Sequence, residues 1–260
     1  MLNQTYPSDL TDSQWEHIKD LLPAVKARGR PRELEVRQVV NALLYLVVGG
    51  VQWRMLPREY PCWQSVYYYF RLWQRDGTWR RVHDSLRART RRKAGRHKHP
   101  TAGCLDSQTV RCTHTPSSRG FDQAKRCVGR KRHVLVDTLG LLLAVTVTSA
   151  AVADRDVARA LLSRLAGSCK KLRRIWVDGG YRGPLVQWVA QNFRFCLQLV
   201  LRTDEQAFVI LPRRWVVERT FAWFGFNRRL ARDYERLTDT SETMIYLTMT
   251  RLMLRRLSRS

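Results

Sequence analysis

The sequence predicts an α/β protein in which an all-helical front segment precedes a mixed sheet flanked by helices, and three observations carry that prediction. Apolar residues recur at helical spacing up to about residue 86. A basic run, Arg87, Arg89, Arg91, Arg92, Lys93, Arg96 and Lys98, then interrupts the pattern; it cannot bury its charge and reads as a linker or an exposed helix end. Beyond residue 100 short apolar runs alternate with helical segments. The expected organisation is a helical domain over residues 1–86, a basic linker over 87–99 and an α/β domain over 100–260.

In the front segment, Thr11 with Asp12 and Ser13 offers an N-cap for a helix through Trp15, Ile18, Leu21 and Leu22, which Pro23 stops. After the basic turn Arg28-Gly29-Arg30-Pro31-Arg32, a second helix over about 34–48 aligns Val36, Val39, Val40, Leu43, Leu44 and Val47 and ends at Gly49-Gly50. A turn through Pro57 and Pro61 leads to a third helix reaching Val82. It carries Trp63, Val66, Tyr67, Phe70 and Trp73, with Gln64, Arg71 and Arg75 left for solvent or a polyanion. The spacing resembles a helix-turn-helix, and an ordinary aromatic core with arginines outside accounts for it equally well.

The rear segment reads as strands over 104–112, 133–136 and 141–148, the last two joined by the hairpin-like turn Asp137-Thr138-Leu139-Gly140, so antiparallel pairing is expected. Asp154 or Asp156 would cap a helix through Val157, Ala160, Leu161, Leu162 and Leu165. A strand over 175–177, a helix over 185–191, a strand over 195–201 and a helix over 212–230 complete the order. Three strands, helix, strand, helix, strand, helix is the order of a ribonuclease-H-like domain.

Charge narrows the partners. Lys and Arg number 47 against 22 acidic residues, a formal charge of +25 with a pI near 10.9. The excess runs through the chain: 19 basic and 9 acidic residues in 1–100, 28 and 13 in 101–260. Such a field concentrates polyanions, and aromatic residues interleaved with arginines favour nucleic acid. A membrane-surface protein would gather its charge on one amphipathic helix, and none stands out. The longest uncharged apolar stretch, 138–153, falls short of the roughly 20 residues a spanning helix needs. The six cysteines show no pair at the spacing of a zinc or redox motif and read as reduced thiols. Residues 1–20 mix acidic and basic side chains with apolar ones, unlike a secretory signal. The expected location is the cytoplasm, on the nucleoid.

Three acids stand in apolar surroundings. Asp106 follows Cys104-Leu105 inside the first strand, where a carboxylate is costly unless paired or metal-bound. Asp178 follows Ile175-Trp176-Val177 and precedes Gly179-Gly180, where backbone can approach a ligand. Glu218 lies in the aromatic helix around Trp215 and Trp223. Phosphodiester chemistry with two divalent metals about 4 Å apart needs such oxygen ligands brought together from different elements. Two of the three also have a local reading: Asp178 as a turn residue, Glu218 as a helical partner of Arg214. Asp122, Asp137, Asp154 and Asp156 are explained by a loop, a hairpin turn and a helix cap. On these grounds a metal nuclease is plausible and no more.

Longer motifs add to this. Asp106-Ser107-Gln108-Thr109-Val110 resembles the first-aspartate motif of insertion-sequence DDE transposases, and Gly120-Phe121-Asp122 with Lys125, Gly129-Arg130-Lys131-Arg132-His133 and Val136-Asp137-Thr138-Leu139-Gly140-Leu141 resemble the segments that follow it. Trp176-Val177-Asp178-Gly179-Gly180-Tyr181-Arg182-Gly183 is similar to the second-aspartate motif, and Arg213-Arg214-Trp215-Val216-Val217-Glu218-Arg219-Thr220-Phe221-Ala222-Trp223 to the glutamate motif. The short spacer before Glu218 suits the group without a large insertion domain, and the helical front half resembles its accessory domain. The chain departs from the pattern at Leu211, near the usual Tyr, and at Phe226, where relatives often carry Arg.

The resemblance implies that Asp106, Asp178 and Glu218 hold two divalent cations, magnesium or alternatively manganese, that cut the element's double-stranded DNA ends. It implies that the freed 3′-hydroxyl then attacks target DNA. Lys125, Arg130, Lys131 and Arg132 would hold phosphates, Arg214 and Arg219 would orient the glutamate or grip the terminal nucleotides, and Gln64, Tyr67 and Arg71 would read the inverted repeats. Joining two ends implies a homodimer on DNA. The alternatives are a catalytically silent DNA-binding protein derived from a transposase and a nuclease that only hydrolyses.

Overall fold

The computed structural model describes residues 6–24, 34–113, 118–167, 169–200 and 214–259. The basic turn at 28–32, the expected continuation of the strand into Leu201, the position of Leu211 and the expected helix start at Pro212 lie outside them.

The chain divides into two units, the first comprising Met1–Arg96, Phe226–Ala231 and Thr243–Ser260. Helix α1 (Asp12–Ile18) starts at Thr11 as expected, with a full capping box: the Thr11 hydroxyl accepts from Gln14 N while the Gln14 side chain accepts from Thr11 N. Helix α2 (Val36–Gly49) ends where Gly50 turns left-handed at φ 72° and donates its N–H to Leu46 O. The third expected helix is two, α3 (Trp63–Arg75) and α4 (Thr78–Lys93). Gly77 takes φ 74°, and Asp76 Oδ1 accepts from Thr78 N at 2.8 Å, so the backbone turns there. Val66, Phe70 and Trp73 are buried on α3.

The basic run, expected as a linker or an exposed helix end, is helical as far as Lys93. Val82, Leu86 and Thr90 continue one buried stripe along α4 at four-residue spacing, and the helix runs to Lys93 because that stripe does. A 20-residue helix, α8 (Thr238–Leu257), was not anticipated. Its apolar face is built from Met244, Ile245, Leu247, Met249, Met253 and Leu254, all buried, and is diluted by Thr and Arg in the sequence. Tyr246 meets the His83 ring of α4 edge-on at 5.1 Å.

The second unit comprises His97–Gly225 and Arg232–Glu242. Its strands are β1 (Ala102–Arg111), β2 (Gly120–Asp122), β3 (Cys127–Asp137), β4 (Leu142–Ser149), β5 (Arg174–Val177) and β6 (Cys196–Leu199); its helices are α5 (Asp154–Ala166), α6 (Pro184–Asn192) and α7 (Trp215–Gly225). The mixed sheet has the order β2-β3-β1-β5-β6, with β4 also paired to β3. β3 is antiparallel to β1, β2 and β4, whereas β1, β5 and β6 are parallel. This is the predicted ribonuclease-H-like order with one short extra strand, β2.

The turn after β3 is set by Asp137, whose Oδ1 accepts from Leu139 N and Leu141 N at 2.8 and 2.9 Å. Helix α5 starts at Ala153 without a side-chain cap; Asp154 and Asp156 lie in its first turn instead. Strand alternation sorts the sheet's two faces. Register pairs Asp106 with Val134, Gln108 with Arg132 and Val110 with Arg130, so these share one face. Leu105, Ser107 and Thr109 share the other with Leu135, His133 and Lys131. The buried core contains Leu105 and Leu135 together with Leu161, Leu162 and Leu165 of α5, Ile175 and Val177 of β5, and Leu185 and Val189 of α6.

Candidate active site

The two aspartates meet because of strand register. β1 and β5 are parallel neighbours with Cys104 opposite Trp176. Asp106 and Asp178 each lie two residues further along, so they fall on the same face at the same level of strands about 4.8 Å apart. β5 ends just before Asp178, while β1 continues to Arg111; Asp106 is therefore inside a strand, beside the opening where β5 stops.

Each carboxylate is oriented through one oxygen. Asp106 Oδ1 accepts from Ser107 N at 2.7 Å, and Asp178 Oδ1 accepts from Gly180 N at 2.9 Å. A Cβ on Gly180 would lie 3.0 Å from that Oδ1, so glycine permits the close approach. The other oxygens converge on one nitrogen: Arg214 Nη2 stands 3.1 Å from Asp106 Oδ2 and 3.8 Å from Asp178 Oδ2. Arg214 directly precedes α7, where its carbonyl accepts from Val217 N.

Burial raises the Asp106 carboxyl above its ordinary range, and the Asp178 charge adds to this; Arg214 and the Ser107 amide pull the other way without cancelling it. Burial works against the Arg214 charge, but Asp106 and then Asp178 outweigh it and hold the guanidinium above its ordinary value. Cys104, on the same face, is pushed up to about 12 by burial first and by Asp106 next, with Glu218 and Asp178 adding to the effect. Tyr181 is 1% exposed, and its phenol is raised by burial and then by the charges of Asp106, Asp154 and Asp178.

The donor chemistry fits a hard divalent cation: two carboxylate oxygens already face one positive charge. Glu218 is exposed on α7. Among the described residues no three His, Cys, Asp or Glu side chains converge tightly enough to hold a metal. A guanidinium, not a third acid, stands between the aspartates.

The expected phosphate-holding residues divide. Lys125 is exposed, its Nζ 3.5 Å from the Ser107 carbonyl next to Asp106. Lys131 lies on the opposite face, paired with Asp154 Oδ1 at 3.2 Å and donating to Val152 O. Arg130 and Arg132 share the Asp106 face but are 0% and 1% exposed. Arg130 donates to Ser118 O, Glu235 O and Arg236 O and pairs with Asp233 Oδ1 at 3.3 Å; Arg132 donates to Arg232 O. Through these bonds the two arginines pin the 232–236 backbone to the sheet.

Arg219 is engaged by the rings of its own helix and by the turn after β3. Its guanidinium lies over Trp215 and Trp223, 4.8 and 5.0 Å from the ring centroids, and donates to Leu139 O. Trp215, Arg219 and Trp223 are spaced four apart, a helical signal legible in the sequence and not used. The partnership of Arg214 with both aspartates was also missed; nothing local in the sequence points across 108 residues. In the first unit Gln64 is exposed on α3, Tyr67 packs edge-on against Trp53 at 5.0 Å, and Arg71 donates to Gln74 Oε1. Tyr68, 60% exposed, extends the same outward side.

Comparison with known proteins agrees in both halves. Residues 10–83 match the family described as "Putative transposase of IS4/5 family (DUF4096)", and residues 97–253 match the "Transposase DDE domain". The chain is also similar to the "Insertion element IS402 uncharacterized 16.2 kDa protein" of Burkholderia cepacia, 36% identical over 88 residues, or 32% of this chain and 60% of that protein's length. No helix among the described residues is long and apolar enough to cross a membrane. With the larger of the two family matches running through β1, the end of β5 and α7, where the three acids lie, the chain belongs to the DDE transposases.

Proposed function

We propose that this transposase binds the terminal inverted repeats of its insertion sequence, cuts the ends by metal-dependent hydrolysis and joins the 3′-hydroxyl to target DNA. The observation that carries the reading is the convergence of Asp106 Oδ2 and Asp178 Oδ2 on a single cationic nitrogen at the open end of β5. Asp106 and Asp178 would hold divalent cations, magnesium or manganese, with Glu218 completing the set. When bound, these neutralise charge that grows on the phosphoryl and leaving oxygens during in-line displacement.

The chain's own groups supply the rest. The Ser107 and Gly180 amides fix the direction of each carboxylate, so no ordering cost falls on the reacting complex. The exposed Lys125 offers a positive charge for a phosphodiester beside Asp106. Hydrolysis and strand transfer are the same displacement with different nucleophiles, so one site serves both. The outward side of α3, with Gln64, Tyr67 and Arg71, would read the inverted repeats. Two ends must be held together, which calls for a homodimer on DNA. The reaction would take place on chromosomal DNA in the cytoplasm.

The test is magnesium-dependent cleavage of a labelled duplex carrying the element's own ends, wild type against Asp178→Ala. Cleavage lost in the variant with end binding retained supports the reading. Binding without cleavage by either protein, in magnesium and in manganese, favours the catalytically silent DNA-binding alternative.

A further inference from the structure

We propose that Arg214 is a built-in counter-cation that competes with divalent metal for the same oxygens of Asp106 and Asp178, so metal loading requires its guanidinium to leave. The inference rests on the reading of these aspartates as metal ligands.

Each aspartate has committed its Oδ1 to a backbone amide, Ser107 N or Gly180 N. The Oδ2 atoms therefore remain for a cation, and both already lie within 3.8 Å of Arg214 Nη2. No acid on α7 shares the guanidinium: Glu218, four residues on and at ordinary ion-pair spacing for a helix, forms no salt bridge with it among the described residues. The Arg214 side chain is 15% exposed and the Asp106 side chain 16%, so the pair is well shielded from water. Two carboxylates facing one another in such a place repel, and a single guanidinium relieves both. A metal bound to both Oδ2 atoms would relieve the same repulsion, and like charges at that distance exclude each other. The aspartates thus stay arranged as ligands without metal, with Arg214 in the place a passing cation would take. Because Arg214 sits at the start of α7, a turn from Glu218, its departure and the approach of Glu218 involve one short segment.

A purely structural arginine makes the opposite prediction from a competitor. Removing a competitor tightens metal binding; removing a scaffold weakens it. The experiment is Mn2+ titration of the full chain, followed by electron paramagnetic resonance and calorimetry, with thermal unfolding in chelator and in saturating Mn2+. The proteins are wild type, Arg214→Met, Arg214→Lys and Asp178→Asn. Arg214→Met is expected to unfold at lower temperature in chelator, to bind Mn2+ at least about tenfold more tightly and to gain more thermal stability from it. Arg214→Lys keeps the charge but lacks the planar fork that faces two carboxylates, so its Mn2+ affinity should lie between the two. It also keeps the test open if Arg214→Met does not fold. Unchanged or weaker Mn2+ binding in both arginine variants, with binding still abolished in Asp178→Asn, overturns the counter-cation and leaves the metal site standing. Absence of Mn2+ binding in wild type and in both arginine variants overturns both.

Discussion

Replacing Arg130 by Met separates two roles that the sequence leaves entangled. As a phosphate contact, Arg130 would be dispensable for folding, and its loss would lower the salt dependence of DNA binding by about 0.9 in log–log slope. In the structure it is 0% exposed and satisfies Ser118 O, Glu235 O and Arg236 O while facing Asp233, itself 2% exposed. Methionine fills similar volume but leaves three carbonyls and a buried carboxylate without that donor. Asp233 retains Ser241 Oγ at 2.8 Å and Glu235 N at 3.0 Å, which soften the loss without supplying a positive charge. Breaking one partner of a buried pair costs about 3–5 kcal/mol, a large part of the roughly 5–15 kcal/mol that holds a typical domain folded. Urea unfolding followed by tryptophan fluorescence reads the loss, and DNA titrations at several salt concentrations read the slope. A stability loss below about 1 kcal/mol together with a slope reduced by about 0.9 would refute the buried-anchor assignment.

Further outcomes follow from other sites. Burial holds the His133 imidazole down to about 4 from 6.5, with Lys131 and Lys125 adding to this and Asp154 opposing it. The unfolded chain therefore takes up a proton that the fold refuses: this contribution is complete above about pH 6.5 and is lost as pH falls toward 4, up to about 3 kcal/mol. The difference in urea midpoint between pH 7 and 4.5 should be smaller in His133→Asn, and equal differences would contradict the assignment. Gly140→Ala should cost about 2–4 kcal/mol, through a left-handed backbone and a crowded Cβ, because φ is 78° and the new carbon would lie 2.8 Å from the Trp223 ring. Gly95→Ala, at φ 68° with nothing within 4 Å, should cost only about 1 kcal/mol, and equal losses would argue against the packing at Gly140. Lys125→Gln should leave stability within about 0.5 kcal/mol and lower the DNA-binding salt slope by about 0.9; an unchanged slope would remove Lys125 from the interface.

How much was legible depends on how local the cause is. The N-cap at Thr11, the Asp137 turn and the strand-helix order from β3 to α7 come from short patterns, and the structure has them apart from end shifts. Helix α8 escaped because its buried methionines are spaced among Thr and Arg that lower the apolar signal. In the basic run the density of charge masks the stripe Val82, Leu86, Thr90, which continues the helix to Lys93. Asp106 and Asp178 were singled out by their apolar surroundings, whereas their juxtaposition is a matter of parallel register, which no local pattern encodes. Burial of Arg130 and Arg132 is likewise a tertiary fact: each finds its acceptors on distant backbone, so a basic motif that looks exposed in sequence becomes internal.

The central claim is that three acids on β1, after β5 and on α7 form one hydrolytic site, and Glu218 is the member whose place in it is least determined by contacts. The decisive measurement is single-turnover cleavage of a duplex carrying the element's ends by Asp106→Asn, Asp178→Asn and Glu218→Gln, with end binding measured in parallel. The account predicts a loss of at least roughly a hundred-fold in cleavage for each variant with binding retained. Cleavage within about tenfold of wild type in Glu218→Gln, or in either aspartate variant, would contradict it.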